Sequence, residues 1–126
     1  MTATLDNSKR LYELTGWGDT QFRYEESKTV HSEPKIVVTT NKQYVAAIYT
    51  PAYDSDYLLE KLPAKINHDK EDYFLVLWPS GFAEPELWFA AYTDADYVDM
   101  PFLANTDTPA DALCLLAIKL KEEGVM

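Results

Sequence analysis

The sequence DYFLVLWPSGFAEPELWFAAYT, at residues 72–93, decides the predicted fold. Two apolar runs, residues 73–78 and 87–92, are rich in aromatic and β-branched side chains and are too short for typical helices. The connector, residues 79–85, contains glycine and two prolines, which favour a turn. Both runs are nearly continuous in apolar residues, whereas a half-solvated strand alternates. The stretch predicts a β-hairpin at the centre of a sheet, covered on both faces.

Three helices are predicted, two before this hairpin at residues 6–16 and 53–66, and one after it at residues 108–124. Each contains apolar residues three or four apart, which form a stripe that can pack on a sheet. Pro63 is expected to end or kink the second helix. The expected N-cap residues are Asp6, Asp54 or Ser55, and Thr108.

Further strands are predicted from β-prone runs. Residues 36–40 and 44–49 predict a second hairpin, and residues 21–25 a weaker strand. In residues 94–100, small or apolar residues alternate with aspartates over part of the length, which is typical of a charged edge strand. The fold class is therefore α+β. We expect one domain, residues 1–126, in which a central antiparallel sheet of four to five strands carries helices in an αβα-sandwich-like arrangement.

Charge and composition limit the possible partners. The chain has 21 acidic and 11 basic residues, a net charge of −10, which argues against direct binding to nucleic acid. The negative charge favours solubility. Alternatively, the acidic surface acts as a decoy that binds the basic groove of a partner protein. No apolar run approaches the roughly 20 residues of a membrane span. The single cysteine, Cys114, cannot form an internal disulfide, so we expect a cytoplasmic protein without membrane association.

Catalytic signatures are sparse. His31 and His68 lie in predicted loops without an evident nucleophile or orienting partner, and Cys114 is expected to be an inert core thiol. Phosphate-binding glycine motifs and cysteine–histidine zinc spacings are missing from the sequence. The pattern favours a protein that is not an enzyme and needs no cofactor. Two aspartate groups leave a metal-dependent enzyme as an alternative, because carboxylates bind hard cations: Asp54 with Asp56, and Asp94 with Asp96 and Asp99.

Aromatic residues are the remaining functional signal. They gather around both predicted hairpins, and aromatic side chains with few charges can line a ligand pocket or a partner surface. From these groups and the start of the second helix, we select five candidates for ligand or partner binding: Tyr49, Tyr53, Asp54, Asp56 and Phe82.

Three segments carry a family resemblance: LYELTGWGDT at residues 11–20, TPAYDSDYLLEKLP at residues 50–63, and TPADALCLLAIKLKEEG at residues 108–124. Together they resemble small uncharacterised phage and prophage proteins of the phage αβα (ABA) sandwich domain type. The resemblance implies that fold, and a phage or prophage origin with a bacterial host cytoplasm as the location. It implies no reaction and no catalytic residues. The matching positions are Pro51, Tyr53, Asp54, Asp56, Thr108, Pro109 and Ala112.

The leading hypothesis is a non-enzymatic accessory protein that acts as a binding or interaction module for a small ligand or a host protein. An acidic inhibitor or decoy of a host defence or nucleic-acid-binding protein is the alternative. We also expect a two-fold homodimer, because the apolar arc of the C-terminal helix is wider than one sheet face requires. That arc consists of Leu113, Leu115, Leu116, Ala117, Ile118 and Leu120.

Overall fold

A computed structural model describes residues 1–81 and 86–126. These residues form an α+β fold with three helices and two antiparallel sheets, which confirms the predicted class. In chain order the elements are α1 Leu5–Thr15, β1 Phe22–Ser27, β2 Lys35–Val38, β3 Ala47–Ala52, α2 Ser55–Lys61, β4 Lys65–His68, β5 Glu71–Pro79, β6 Trp88–Thr93, β7 Phe102–Thr106 and α3 Pro109–Glu122.

The predicted central hairpin is confirmed. Strands β5 and β6 pair antiparallel, with Leu77 opposite Ala90 and Trp78 opposite Phe89. They are the inner strands of a four-stranded sheet of order β4-β5-β6-β7. Their alternate side chains, including Tyr73 and Tyr92, belong to the hydrophobic core that α3 shares. The hairpin therefore builds the main core of the molecule, as the apolar runs predicted.

The predicted second hairpin is wrong, because its two strands do not pair with each other. Both β2 and β3 pair with β1, which lies between them in a three-stranded sheet of order β2-β1-β3. Tyr24 of β1 stands opposite Ile36 on one side and Thr50 on the other. β1 therefore exchanges backbone hydrogen bonds along both edges.

The predicted edge strand at residues 94–100 is also wrong. This segment is a loop, in which the Asp94 carboxylate accepts the backbone N–H groups of Val98 at 2.9 Å and Asp99 at 3.2 Å. Tyr97 has a φ angle of 58°, which no extended strand accommodates. Asp94 thus serves as a local turn acceptor, and the strand at this edge of the sheet is β7.

The second helix is shorter than predicted. It ends at Lys61 because Pro63 follows, and Ile66 already belongs to β4. Asp69 and Lys70 then form a two-residue turn into β5, both with positive φ angles of 51° and 70°. This geometry is that of a tight hairpin turn.

The C-terminal helix is covered within one chain. Leu113, Leu116 and Leu120 are fully buried, and α3 contacts α1, α2, β6 and β7. Leu115 is partly buried against the same core. The wide apolar arc that motivated the dimer prediction is therefore used inside the molecule, and the oligomeric state stays a prediction.

Cys114 gives a direct test of this packing. Its thiol is buried, it lies 3.5 Å from the Asn7 carbonyl oxygen, and burial raises its pKa to about 12. Because the thiolate is the reactive form, we expect the native protein to resist a thiol reagent such as dithiobisnitrobenzoate. Addition of denaturant should release one reactive thiol per chain. Rapid reaction of the native protein, at the rate of an exposed thiol, would show that α3 is not packed in this way.

Candidate functional site

Four of the five residues selected from the sequence lie in the described part of the structure, and Tyr53, Asp54 and Asp56 lie at or near the start of α2. Tyr53 is buried, and its hydroxyl donates to the Trp17 carbonyl at 2.6 Å. The Asp54 carboxylate caps α2 by accepting the Tyr57 N–H at 2.8 Å, and Asp56 is exposed in the first turn of that helix. Both roles are structural.

The other two candidates are Tyr49 and Phe82. Tyr49 is a partly buried residue of β3, and its ring lies under the guanidinium of Arg23. Phe82 lies outside the residues that the structure describes. No common surface therefore joins Tyr49, Tyr53 and the two aspartates of α2.

A different surface stands out, on the side of the four-stranded sheet opposite α3. Strand alternation places Tyr73, Leu75 and Leu77 toward the core, so the residues between them point away from it. We call this side the outer face. Its large apolar side chains are Phe74, Val76, Trp78, Phe89 and Leu103.

The outer face is only partly covered, so the expectation that both faces of the hairpin are buried is wrong. Phe74 is 44% exposed and Leu103 is 38% exposed, whereas the smaller Ala91 is buried. Trp78 and Phe89 stack across the two strands, with ring centroids 5.3 Å apart and planes inclined by 13°. Offset stacking of this kind is a favourable geometry for aromatic pairs. The outer face thus presents a stacked aromatic pair.

A groove runs between this surface and the loop at residues 94–100. It has a volume of about 500 Å³, within the range of binding pockets. Tyr97, which is 67% exposed, lies on the loop side. The groove is lined by Val76, Leu77, Trp78, Tyr97 and Met100.

The loop beside the groove is acidic. The loop that supplies Tyr97 and Met100 also carries Asp94, Asp96 and Asp99, and it contains no basic residue. The Asp99 carboxylate accepts a hydrogen bond from the Tyr73 hydroxyl at 2.7 Å, and this bond raises the pKa of Tyr73. The phenol therefore remains a donor that anchors the loop to the sheet. The acidic loop beside the apolar groove is thus tied to the sheet through Asp99.

The histidine and cysteine residues that could carry chemistry have local contacts in the described structure. His68 packs edge-on against Phe102, with centroids 5.0 Å apart, and its Nε2 lies 3.5 Å from the Asp69 carboxylate. Cys114 is buried, and within the described ranges no three histidine, cysteine, aspartate or glutamate side chains come together as a metal site. None of the helices in those ranges is long and apolar enough to cross a bilayer.

Sequence reasoning did not select most of the groove residues. Trp78 belonged to the aromatic group around the hairpin, but Val76, Tyr97 and Met100 carried no separate signal. Splitting the run at residues 73–78 into its two alternating sets would have identified the outer set. The position of the loop beside that set is a tertiary feature that the sequence does not contain.

Comparison with known proteins adds no relative: no protein-family model, curated protein or solved structure matches this chain. The described residues form an α+β fold with two antiparallel sheets and an apolar groove on the outer face of the four-stranded sheet. The resemblance to phage αβα sandwich proteins stays a prediction that rests on the three quoted segments.

Proposed function

We propose that this protein is a binding module whose outer face receives a cationic, apolar segment of another protein. The observation that carries this proposal is the incomplete covering of the outer face beside an ordered groove. Exposed contiguous apolar patches on folded proteins are typical of interaction sites. Aromatic side chains such as Trp78 and Phe89 are frequent anchors in such interfaces.

Charge supports a basic partner. The loop that supplies Tyr97 and Met100 to the groove also carries Asp94, Asp96 and Asp99, and the whole chain has a net charge of −10. A lysine or arginine that flanks an apolar anchor would meet these carboxylates, and such complementarity accelerates association and fixes orientation. An acidic decoy of a basic host protein would use the same surface, and the phage resemblance would supply a reason for such a partner.

A second copy of the chain is a poorer occupant. The apolar side chains of α3 are already buried, so self-association would have to use another surface such as the outer face. Two copies that met there would each bring the acidic loop, and like charges across an interface are unfavourable. The predicted homodimer is therefore the competing proposal for this surface.

A synthetic peptide of alternating leucine and lysine is a suitable probe. We expect it to bind the protein in fluorescence anisotropy, and a leucine–glutamate peptide and a serine–lysine peptide to bind much more weakly. Trp78→Ser should weaken binding about ten-fold or more, because it removes the central anchor. Binding should also weaken as salt rises, since exposed charges are screened.

The matched control is Ile48→Ser, which removes an exposed apolar residue from β3 in the other sheet. It should leave affinity for the leucine–lysine peptide unchanged. Equal weakening by Ile48→Ser and Trp78→Ser, or equal binding of the leucine–glutamate peptide, would contradict the proposal. A protein that forms a concentration-dependent dimer, lost in Trp78→Ser, would assign the face to a second copy instead.

A further inference from the structure

A second cavity lies beside the three-stranded sheet, and Arg23 of β1 is part of its lining. The side chain is only 6% exposed. Its Nη2 donates to the Asn41 carbonyl at 2.7 Å, and its Cζ lies 4.3 Å from the centroid of the Tyr49 ring. The guanidinium is therefore fixed in position from two directions.

This buried cation lacks a full set of partners. Its Nε is buried and has no hydrogen-bond acceptor among the described residues. The carboxylate of Glu25, two residues along the same strand, accepts from the Tyr49 hydroxyl at 3.1 Å and pairs with Lys35 at 3.7 Å instead. A buried charge that is neither paired nor fully hydrogen-bonded is costly. Arg23 takes part in none of the ion pairs among the described residues, and it lines a neighbouring cavity in which an anion would balance its charge.

The cavity beside Arg23 is built to receive such an anion. It has a volume of about 220 Å³, below the roughly 300–1,000 Å³ of drug-sized sites, so it suits a ligand of few atoms. Although the chain is strongly acidic, the cavity lining contains no carboxylate. Its polar and aromatic lining includes Tyr12, Thr20, Arg23, Thr39, Gln43 and Tyr49.

We propose that this cavity binds a small organic monocarboxylate, whose oxygens accept from the Arg23 guanidinium while its organic part lies against Tyr12, Tyr49 and Pro51. Arginine forms forked hydrogen bonds to carboxylates, and a fixed fork loses little entropy on binding. A single cation balances a single negative charge. A phosphate dianion would leave excess negative charge in a protein of net charge −10.

Benzoate is the test ligand, and neutral benzamide and inorganic phosphate are its controls. We expect calorimetry to give a dissociation constant of about 1 mM or lower for benzoate, a reachable value for roughly nine non-hydrogen atoms. Benzamide keeps the shape without the charge and should not bind measurably. Phosphate should bind more weakly than benzoate.

Three variants assign the site. Arg23→Met should abolish benzoate binding without lowering the melting temperature of the free protein, because it removes an unpaired buried charge. Should Arg23→Met fail to fold, Arg23→Lys retains a cation without the fork, and it should weaken binding about ten-fold or more. The exposed neighbour Lys42 supplies the control, since Lys42→Met should leave binding unchanged.

Any one of four results would overturn the assignment. These are a native protein that does not bind benzoate, unchanged benzoate binding by Arg23→Met, tighter binding of phosphate than of benzoate, and a loss of benzoate binding in Lys42→Met equal to that in Arg23→Met. A lowered melting temperature of Arg23→Met, with benzoate binding retained, would show that Arg23 is a structural residue only.

Discussion

Leu116→Ala is expected to lower the free energy of unfolding by about 2–5 kcal/mol, the usual cost of truncating a fully buried leucine. Leu116 has no exposed surface and lies in the core that α3 shares with the four-stranded sheet. The loss combines the lost transfer free energy with the cavity that remains. Urea denaturation would measure it as a lower midpoint with an unchanged slope.

The matched control is Leu59→Ala, because Leu59 is an exposed leucine of α2. Removal of its side chain should change stability by less than about 0.5 kcal/mol, as for most surface positions. A loss below about 1 kcal/mol for Leu116→Ala would mean that α3 does not pack against the sheet as described.

Asp111→Ala is the second substitution with a large expected effect. One oxygen of this buried carboxylate accepts the Thr4 N–H at 3.0 Å, the Thr4 hydroxyl at 3.2 Å and the Asn7 side-chain amide at 2.9 Å. It thereby joins the start of α1 to the start of α3. Hydrogen bonds to charged groups contribute about 1.5–3 kcal/mol, and losses within one network are not additive, so we expect a total near 2–4 kcal/mol.

Asp107→Ala provides the comparison for this second prediction. Asp107 is exposed and stands just before the same helix. Its removal changes the net charge equally but breaks no contact between helices, so stability should change by less than about 0.5 kcal/mol. Similar losses for both aspartates would show that charge, and not the link between α1 and α3, determines the effect.

The elements best predicted from sequence are those in which local signals agree with tertiary packing. The apolar runs of β5 and β6 and the Thr108–Pro109 start of α3 required no knowledge of distant residues, and the structure confirms them. Cys114 was predicted to be buried for the same reason, since its neighbours in the helix are apolar. The local sequence pattern is thus enough to predict that a helix or strand exists.

Pairing between strands could not be predicted in the same way. The runs that became β2 and β3 are close in sequence and separated by polar residues, which is the usual pattern of a hairpin. The structure instead inserts β1, so that Arg23 and Tyr49 meet across strands. The choice between these pairings depends on long-range packing. The Arg23 cavity depends on this pairing, so it could not be predicted from the sequence.

The predicted burial of the outer face is wrong for a related reason. Nearly continuous apolar residues in β5 predicted burial on both sides, but α3 covers only one side. Sequence pattern reports which side chains are apolar and not what covers them. A surface left open by the fold is therefore a finding of the structure, and it is the basis of the function proposed above.

The most direct test of that function is a backbone amide NMR titration of the isotope-labelled protein with the leucine–lysine peptide. We expect the shifts to concentrate in three segments around the groove, at residues 74–78, 89–91 and 94–100, and α1 and the three-stranded sheet to change little. Shifts spread evenly over all acidic residues, or centred on the three-stranded sheet, would contradict the assignment of the outer face as the binding surface.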